Sequence, residues 1–439
     1  MVPRLVIAGV ASGVGKTTTM VALTAALRAR GLRVATFKCG PDYLDPTYHA
    51  RASGSACHNL DGWMMGRDAV LATFARNTRD ADLALVEGMM GLYDGKSPES
   101  DEGSAAQIAK WLGAPVLAVV DASALVRTIA AIGVGLRAFD PALDVAGVFA
   151  NRVGSRGHLE MLVRASREHV PVVGGLPSDP AHAFAERHLG LHAAPTTEDR
   201  GDVDAWGRTF AEYNDVDAIV AIARRAAPLE VAAPPRPARA HACRIGIARD
   251  AAFHFYYDDN LARLESLGAT LVPFSPLSDA RAPAVDGIYI GGGYPEAHAA
   301  ALTANATMRE SLRAHAASGK PIYAECGGLM YLADAIRTLD GREHPMLGLV
   351  RGIAVMRERL QAIGYVDVET TAPTLFGAAG TRLRGHQFRW STLEGATPDA
   401  YRDLPAYAAD AVLASYVHVH WASNPAAAES FVARCARAR

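Results

Sequence analysis

The chain has 439 residues, half of them hydrophobic, a length that suggests two or three domains with buried cores. Its 44 Lys and Arg residues against 46 Asp and Glu give a formal net charge of −2, without the basic excess of a nucleic-acid or membrane-surface binder. We therefore expect no nucleic acid and no membrane among its partners. The five scattered cysteines form no CxxC pair, which argues against a disulfide framework or zinc ribbon and predicts a cytoplasmic location.

The first half of the chain alternates short apolar runs with helical stretches rich in Ala and Leu. Continuous apolar runs are typical of strands that are buried on both faces of a parallel sheet. A helix is predicted over 17–30, ended by Gly31. The alternation predicts a doubly wound α/β domain over 1–226. Its predicted strands are 4–8, 33–38, 82–87, 116–121, 145–151 and 170–173.

Residues 227–242 contain four prolines and no helical or strand period, which predicts a stiff linker. The α/β alternation then resumes, and a second domain is predicted over 243–439. A helix is expected at 260–267. The predicted strands are 244–248, 270–273, 287–290 and 321–324.

A glycine-rich loop, Gly9-Val-Ala-Ser-Gly-Val-Gly-Lys-Thr17, joins the first predicted strand to the first predicted helix. The N–H groups of such a P-loop cradle phosphates, its lysine reaches the β- and γ-phosphates, and its threonine binds Mg²⁺. We therefore predict a bound nucleotide with Mg²⁺. Asn151, at the end of a strand, is expected to contact the base, with an ordinary loop asparagine as the alternative. The predicted nucleotide-binding residues are Ser12, Gly13, Val14, Gly15, Lys16, Thr17 and Asn151.

Acidic residues follow the second and third predicted strands, whose carboxyl ends face the ligand crevice of an open α/β sheet. Asp42 and Asp45 lie in Lys38-Cys-Gly-Pro-Asp-Tyr-Leu-Asp-Pro-Thr-Tyr-His49, where metal coordination, substrate contact and ordinary turn chemistry all remain open. Glu87 ends the third strand and is followed by Asp94. A carboxylate at the end of a buried strand near a P-loop is the usual second Mg²⁺ ligand.

A cysteine follows the strand predicted at 321–324, in Pro321-Ile-Tyr-Ala-Glu-Cys326-Gly-Gly-Leu-Met. A nucleophile on a tight strand-to-helix turn needs small neighbours, and Cys326 has two glycines after it. The loop Gly291-Gly-Gly-Tyr-Pro-Glu296 is a candidate oxyanion hole. Ser415-Tyr-Val-His418-Val-His420-Trp supplies a general base. The other four cysteines are expected to be structural.

These motifs together resemble the cobyrinic or hydrogenobyrinic acid a,c-diamide synthases, a glutamine amidotransferase family of the cobalamin pathway. The resemblance covers nearly the whole chain. The motifs that carry it are GVASGVGKT, KCGPDYLDPTYH, EGMMGLYDG, GGGYPE, AECGGLMYL and ASYVHVHWASNP. It implies a dethiobiotin-synthetase-like P-loop domain followed by a flavodoxin-like, class I glutamine amidotransferase domain.

The resemblance implies a role for each matching residue. Cys326 would attack glutamine and His418 would be its base, whereas His420 stands where the wider class has the glutamate of a His-x-Glu pair. The partners implied are ATP, L-glutamine and a corrin polycarboxylate, with a homodimer left open. The implied metal ligands are Thr17, Asp45 and Glu87, the substrate residues Asp42, Tyr43, Leu44 and Asp94, and the oxyanion or glutamine loop Gly291, Gly292, Gly293 and Gly327.

Three alternatives stay open at this point. A sister amidotransferase would act on nickel-sirohydrochlorin or make cobyric acid. A different class, a P-loop ATPase switch with an inactive amidotransferase module, is disfavoured by Ala11, where partition-type ATPases carry lysine. The Ala- and Arg-rich composition is typical of a GC-rich bacterial genome and favours the cobalt-free substrate, hydrogenobyrinate.

Overall fold

The computed structural model describes residues 2–179, 203–229, 231, 241–409 and 411–438. The chain separates into two compact units, Met1–Pro234 and Pro235–Arg439. This division falls inside the predicted linker at 227–242, most of which lies outside the described residues. In the described part of the chain, no helix has the length and apolar character needed to cross a membrane.

The first unit is an α/β unit whose strands and helices alternate along the chain. Its strands are β1 Arg4–Gly9, β2 Val34–Cys39, β3 Cys57–Leu60, β4 Leu83–Gly91, β5 Val116–Asp121, β6 Val145–Val153 and β7 Val172–Pro177. Its helices are α1 Lys16–Ala29, α2 Asp45–Ser53, α3 Gly62–Asn77, α4 Ala105–Leu112, α5 Thr128–Phe139, α6 Arg156–Ser166, α7 Val203–Tyr213 and α8 Val216–Ala223.

These seven strands form one parallel sheet in the order β3-β2-β4-β1-β5-β6-β7. β1 lies between β4 and β5, so the loop after β1 and the acidic ends of β2 and β4 meet at one edge of the sheet. The apolar residues of β1, β4 and β5 are buried, and those on one face of the sheet pack against α1, which follows the loop. The doubly wound parallel sheet predicted from the sequence is confirmed.

The second unit contains one larger sheet and two smaller ones. Its strands are β8 Cys243–Ala248, β9 Ala269–Phe274, β10 Gly287–Ile290, β11 Ile322–Glu325, β12 Ala335–Arg337, β13 Glu343–Pro345, β14 Ile353–Met356, β15 Ala362–Glu369, β16 Arg382–Arg389, β17 Ser391–Glu394, β18 Ala406–Ala409, β19 Val412–Ser415 and β20 His418–His420. Its helices are α9 Asp258–Ser266, α10 Ala299–Ala304, α11 Ala306–Ala317, α12 Gly327–Leu332 and α13 Pro425–Arg437.

The larger sheet has the order β18-β19-β11-β10-β8-β9, parallel except for the pair β18 and β19. Its parallel strands, counted along the chain, follow the flavodoxin-like order 2-1-3-4-5. The predicted flavodoxin-like fold is therefore confirmed. The smaller sheets, β13-β12-β14-β17 and the antiparallel β15-β16-β20, hold strands that the sequence patterns did not predict.

Candidate functional sites

The phosphate loop between β1 and α1 is held in shape by residues at the end of β6. Gly13 and Gly15 have positive φ angles of 77° and 94°, which glycine adopts without strain. The Asn151 amide donates to the Val14 carbonyl at 2.9 Å, and Arg152 donates to the Gly13 carbonyl at 2.9 Å. A Cβ on Gly15 would lie 1.8 Å from Asn151 Nδ2. The amide of Asn151 thus supports the loop backbone, while its predicted contact with a base stays a prediction.

The two reactive side chains of the loop have different partners, and Glu87, expected at the end of its strand, lies in the middle of β4, which continues to Gly91. The Thr17 hydroxyl donates to Glu87 Oε1 at 2.9 Å. Lys16 is buried, and its ammonium donates to the carbonyl of Ala11 in its own loop at 2.9 Å. Burial and then the nearby charge of Lys38 lower the pKa of Lys16. The remaining predicted loop residue, Ser12, is exposed.

A buried charge cluster lies beside the loop. Lys38, at the end of β2, donates to Asp45 Oδ2 at 2.8 Å and to Glu87 Oε1 at 3.0 Å. His49 Nε2 forms a hydrogen bond with Glu87 Oε2. All four side chains are buried. The cluster therefore brings the predicted ligands Asp45 and Glu87 together around an ammonium group.

The pKa values in this cluster follow from burial and charge. Burial opposes the charged forms, but the surrounding carboxylates raise the pKa of Lys38 well above its usual value. Burial likewise opposes ionised Glu87, yet the charge of Lys38 and the bond from His49 lower the pKa of that carboxyl. Lys38 is thus a resident cation that keeps Glu87 ionised.

The substrate-side candidates surround the same edge of the sheet. Asp42 Oδ1 accepts from the N–H groups of Leu44 and Asp45 at 2.8 and 3.1 Å, an Asx turn that leads into α2. Burial and then the charge of Asp45 raise the pKa of Asp42 to about 6. Tyr43 is half-buried and Leu44 buried. Asp94 is exposed and accepts from Gly91 N–H at 2.9 Å, in the turn after β4.

The oxygen atoms near the loop fit the coordination of Mg²⁺ only in part. Thr17 and Glu87 present hard oxygen ligands 2.9 Å apart, and Mg²⁺ characteristically takes one or two carboxylates plus substrate phosphates and water. Asp45 Oδ2, an atom of a predicted metal ligand, instead accepts a hydrogen bond from the Lys38 ammonium. In the described ranges, no group of three or more His, Cys, Asp or Glu side chains is placed to hold a metal ion. A bound Mg²⁺ would therefore need oxygens from the nucleotide.

In the second unit, Cys326 lies on the turn between β11 and α12. Its φ of 51° and ψ of −106° give the strained backbone conformation that is typical of a nucleophile elbow, at a cost of about 1–3 kcal/mol. The Cys326 N–H donates to the Ser415 carbonyl at 2.8 Å, which ties the turn to β19. A Cβ on Gly328 would lie 2.4 Å from the Ile290 carbonyl, so the turn requires a small residue there.

The glycine loop after β10 brings Cys326 and His418 together. A Cβ on Gly292 would lie 2.4 Å from His418 Cε1, 3.2 Å from His418 Nε2 and 3.4 Å from Cys326 Cβ. Gly293 and Gly327 also meet, because a Cβ on Gly327 would lie 3.1 Å from Gly293 N. The Gly291 N–H donates to the Tyr256 hydroxyl at 2.8 Å, so that donor is already engaged within the protein.

The buried histidines of this site differ in charge. Burial opposes the charged form of His418, but the Cys326 thiolate and then Glu325 raise its pKa to about 9. His386 stacks on His418 with centroids 5.1 Å apart, and burial holds its pKa well below the usual value. Burial lowers the pKa of His420 to about 4. Its Nδ1 accepts from Ala422 N–H at 3.3 Å, and its ring packs on Tyr257.

Several residues at the two sites were present in the quoted motifs but were not assigned a role from the sequence. They act on their neighbours through contacts that spacing does not reveal. In the first unit, the position of Lys38 at the end of an apolar strand could have indicated its role, since a buried lysine needs acidic partners. The residues in question are Lys38, His49 and Glu325.

Two family models match the chain. Residues 5–190 match a CobQ/CobB/MinD/ParA nucleotide binding domain, and residues 244–426 match a CobB/CobQ-like glutamine amidotransferase domain. A solved structure described as "Crystal structure of glutamine amidotransferase" aligns at 18% identity with a TM-score of 0.33, covering 44% of this chain and 98% of that one. That likeness is too slight to support an inference.

Curated relatives named cobyrinate a,c-diamide synthase match this chain over nearly its whole length. One from Leptospira interrogans is 49% identical and covers 99% of both chains. One from Dehalococcoides mccartyi is 44% identical, over 98% of this chain and 97% of that protein. One from Listeria monocytogenes is 42% identical, over 96% and 97%.

The fold and the two sites define a class, the amidating ligases that join a nucleotide-binding domain to a glutamine amidotransferase domain. Within that class the chain belongs to the cobyrinate a,c-diamide synthase family.

Proposed function

We propose that this chain converts two peripheral acetate carboxylates of a corrin, the a and c side chains, into amides, with glutamine as nitrogen donor and ATP as activator. The names of the full-length relatives support the corrin substrate and cobyrinate in particular, while hydrogenobyrinate is the cobalt-free form of the same chemistry. The observation that carries the proposal is the meeting of Cys326 and His418 at Gly292, because a working glutaminase needs that pair.

Glutamine hydrolysis takes place at the elbow of the second unit. The Cys326 sulfur attacks the carboxamide carbon, the C–N bond breaks, and ammonia leaves with a proton from His418. Water then cleaves the thioester, which releases glutamate and restores the thiol. N–H groups of the glycine loop and of Gly327 stabilise the oxyanion. Gly327 suits this role because it begins α12, where N–H groups lack intrahelical acceptors.

Carboxylate activation takes place at the P-loop of the first unit. A carboxylate is a poor electrophile, so transfer of the ATP γ-phosphoryl group to its oxygen supplies a leaving group. Ammonia then attacks the acyl carbon and phosphate departs, leaving the amide and ADP. Lys16 neutralises charge on the phosphoryl group, and the loop N–H groups hold the phosphates. Mg²⁺, held by Thr17 and Glu87 with Asp45 nearby, would supply further charge neutralisation.

The substrate assignment is tested by product analysis. Purified protein is given ATP, Mg²⁺ and glutamine with cobyrinate, hydrogenobyrinate or nickel-sirohydrochlorin, and the products are separated by mass spectrometry. We expect two carboxyl-to-amide conversions on a corrin a,c-diacid, with one ADP formed for each. Turnover of the nickel compound alone, or amidation that yields cobyric acid, would contradict the proposal. ATP hydrolysis without glutaminase activity would favour an ATPase switch.

A further inference from the structure

Glu325, the residue immediately before the nucleophile, is a buried carboxylate that accepts hydrogen bonds from neutral donors. Its Oε1 accepts from the Tyr323 hydroxyl at 2.5 Å and from the Val419 N–H at 3.1 Å. Its Oε2 accepts from the Tyr289 hydroxyl at 2.8 Å. The side chain is 1% exposed. Because these donors are neutral, they fix the position of the carboxylate without cancelling its charge.

This fixed carboxylate lies on the side of His418 that faces away from the thiol. His418 Nδ1 is 3.6 Å from Glu325 Oε2, while His418 Nε2 lies beside Gly292 and Cys326. The order carboxylate, imidazole, thiol is that of a catalytic triad, in which the acid fixes the tautomer and stabilises the imidazolium. Distances of this kind shorten when substrate binds.

The other groups around His418 are less suited to this role. His386 stacks face to face on the ring, so its nitrogens do not point at those of His418, and burial keeps it neutral. His420 accepts from Ala422 N–H through Nδ1, packs on Tyr257 and is also held neutral by burial. A neutral imidazole stabilises a neighbouring imidazolium less than a carboxylate does.

We infer that Glu325 positions His418 and completes a Cys326–His418–Glu325 triad, in which the acid precedes the nucleophile by one residue instead of following the histidine by two. This inference rests on the proposed function. Glu325 accepts the Nδ1–H of His418, so that Nε2 faces Cys326 and returns its proton to the departing ammonia. His420 then has a packing role in β20.

The test is the pH profile of glutaminase kcat/KM in Glu325→Gln. In the wild type we expect activity to fall on the alkaline side near pH 9, where His418 loses its proton. Glu325→Gln removes the charge but keeps the size and hydrogen-bonding atoms of the side chain. We expect the alkaline limb to move at least one pH unit lower and the maximal kcat/KM to fall roughly 10²–10⁴-fold.

Two further variants separate positioning from folding. Glu325→Asp keeps the charge, so the limb should return to near its wild-type pH even though the rate stays reduced. Tyr323→Phe removes one neutral hydrogen bond from the same carboxylate, so it should lower the rate at all pH values without moving the limb. Ammonium-dependent amidation, which does not use the glutaminase, checks in each variant that the protein is intact.

The contrary results can be told apart, because each one overturns either this inference or the proposed function. A uniform loss in Glu325→Gln with the limb in place would give Glu325 only a structural role and overturn the inference. A limb that moves in His420→Asn but not in Glu325→Gln would assign the role to His420 and overturn it as well. A wild type that lacks glutaminase activity would instead overturn the proposed function.

Discussion

Lys38 shows what a single buried charge does at the first site. Its ammonium lies between Asp45 and Glu87, and its side chain is 2% exposed. Two carboxylates so close together repel each other, and burial deprives both of solvent. The lysine offsets both effects at Glu87, whose pKa it lowers despite burial, so that this carboxylate depends on it for its ionised form.

We predict that Lys38→Met destabilises the first unit by about 3–5 kcal/mol at neutral pH, because it leaves buried carboxylates without their cation. The free energy of unfolding can be followed for this unit alone by hydrogen exchange of its peptides in urea. The matched control is Arg30→Met, which breaks an exposed pair with Asp217 and should cost no more than about 1 kcal/mol.

The loss of stability in Lys38→Met should also depend on pH. The pKa of Glu87 is lowered in the folded protein. Ionised Glu87 therefore stabilises the fold fully when the pH is above its unfolded-state pKa of about 4.3. This stabilisation is lost as the pH falls through the lower pKa of the folded state. The stability difference between wild type and Lys38→Met should therefore narrow in acid. A difference that stays constant down to pH 3 would show that lost packing, not lost charge, is responsible.

At the scale of elements, the second site is assembled by two tight connections, the turn from β11 to α12 and the glycine loop after β10. The elbow sets Cys326 at a positive φ, and the loop passes so close to His418 that Gly292 cannot carry a side chain without displacing the ring. The geometry of the pair thus depends on backbone that has no catalytic side chain of its own.

We predict that Gly292→Ala abolishes most glutaminase activity, by about 100-fold or more, because the new methyl would lie 2.4 Å from His418 Cε1. Ammonium-dependent amidation should persist. Gly135→Ala serves as control, since a Cβ there, within α5, meets nothing within 4 Å. Wild-type glutamine hydrolysis by Gly292→Ala would mean that the loop can shift away from the histidine.

The strands also show how much of the fold can be predicted from the sequence. The apolar runs predicted β1, β2, β4, β5 and four of the five flavodoxin-like strands, β8 to β11, to within a few residues, because strands buried on both faces need continuous apolar side chains. β3 was missed because it is short and contains His58 and Asn59. Yet Asn59 donates to the carbonyls of Gly40 and Asp42 at 2.9 and 2.8 Å, so this edge strand supports the acidic loop.

The antiparallel strands after α12 escaped prediction for a different reason. β15 and β16 mix charged and apolar residues without regular alternation, and their pairing is long-range.

The site motifs were easier to find from the sequence than the contacts that determine their chemistry. Spacing located Cys326, His418, Lys16 and Glu87, whereas the contacts of Lys38 and Glu325 depend on which strands are neighbours, and only the fold supplies that.

At the scale of the whole molecule, each of the two units carries one of the two proposed half-reactions. The near-neutral total of 44 basic and 46 acidic residues does not reveal this division, since the relevant charges are local and buried. The two half-reactions should therefore be separable by substitution.

We predict that Cys326→Ala loses glutamine-dependent amidation but keeps turnover with free ammonium, because the P-loop unit still activates the carboxylate. Lys16→Ala should lose both, since it removes charge neutralisation at the transferred phosphoryl group. Product formation with amide-¹⁵N glutamine and unlabelled ammonium distinguishes the two sources of nitrogen. Ammonium-dependent turnover that survives Lys16→Ala would refute activation by ATP.

The elbow has a consequence for anyone who wishes to move this chemistry elsewhere. Tyr323, Glu325 and Cys326 lie within four consecutive residues, and β11 pairs in parallel with β19, which leads directly into His418. A nucleophile, its acid and its base are thus contributed by only two neighbouring stretches of chain. A host protein for the graft would therefore need at least one pair of adjacent parallel strands with a glycine loop beside them, and a third strand to supply the hydroxyl that Tyr289 donates to Glu325.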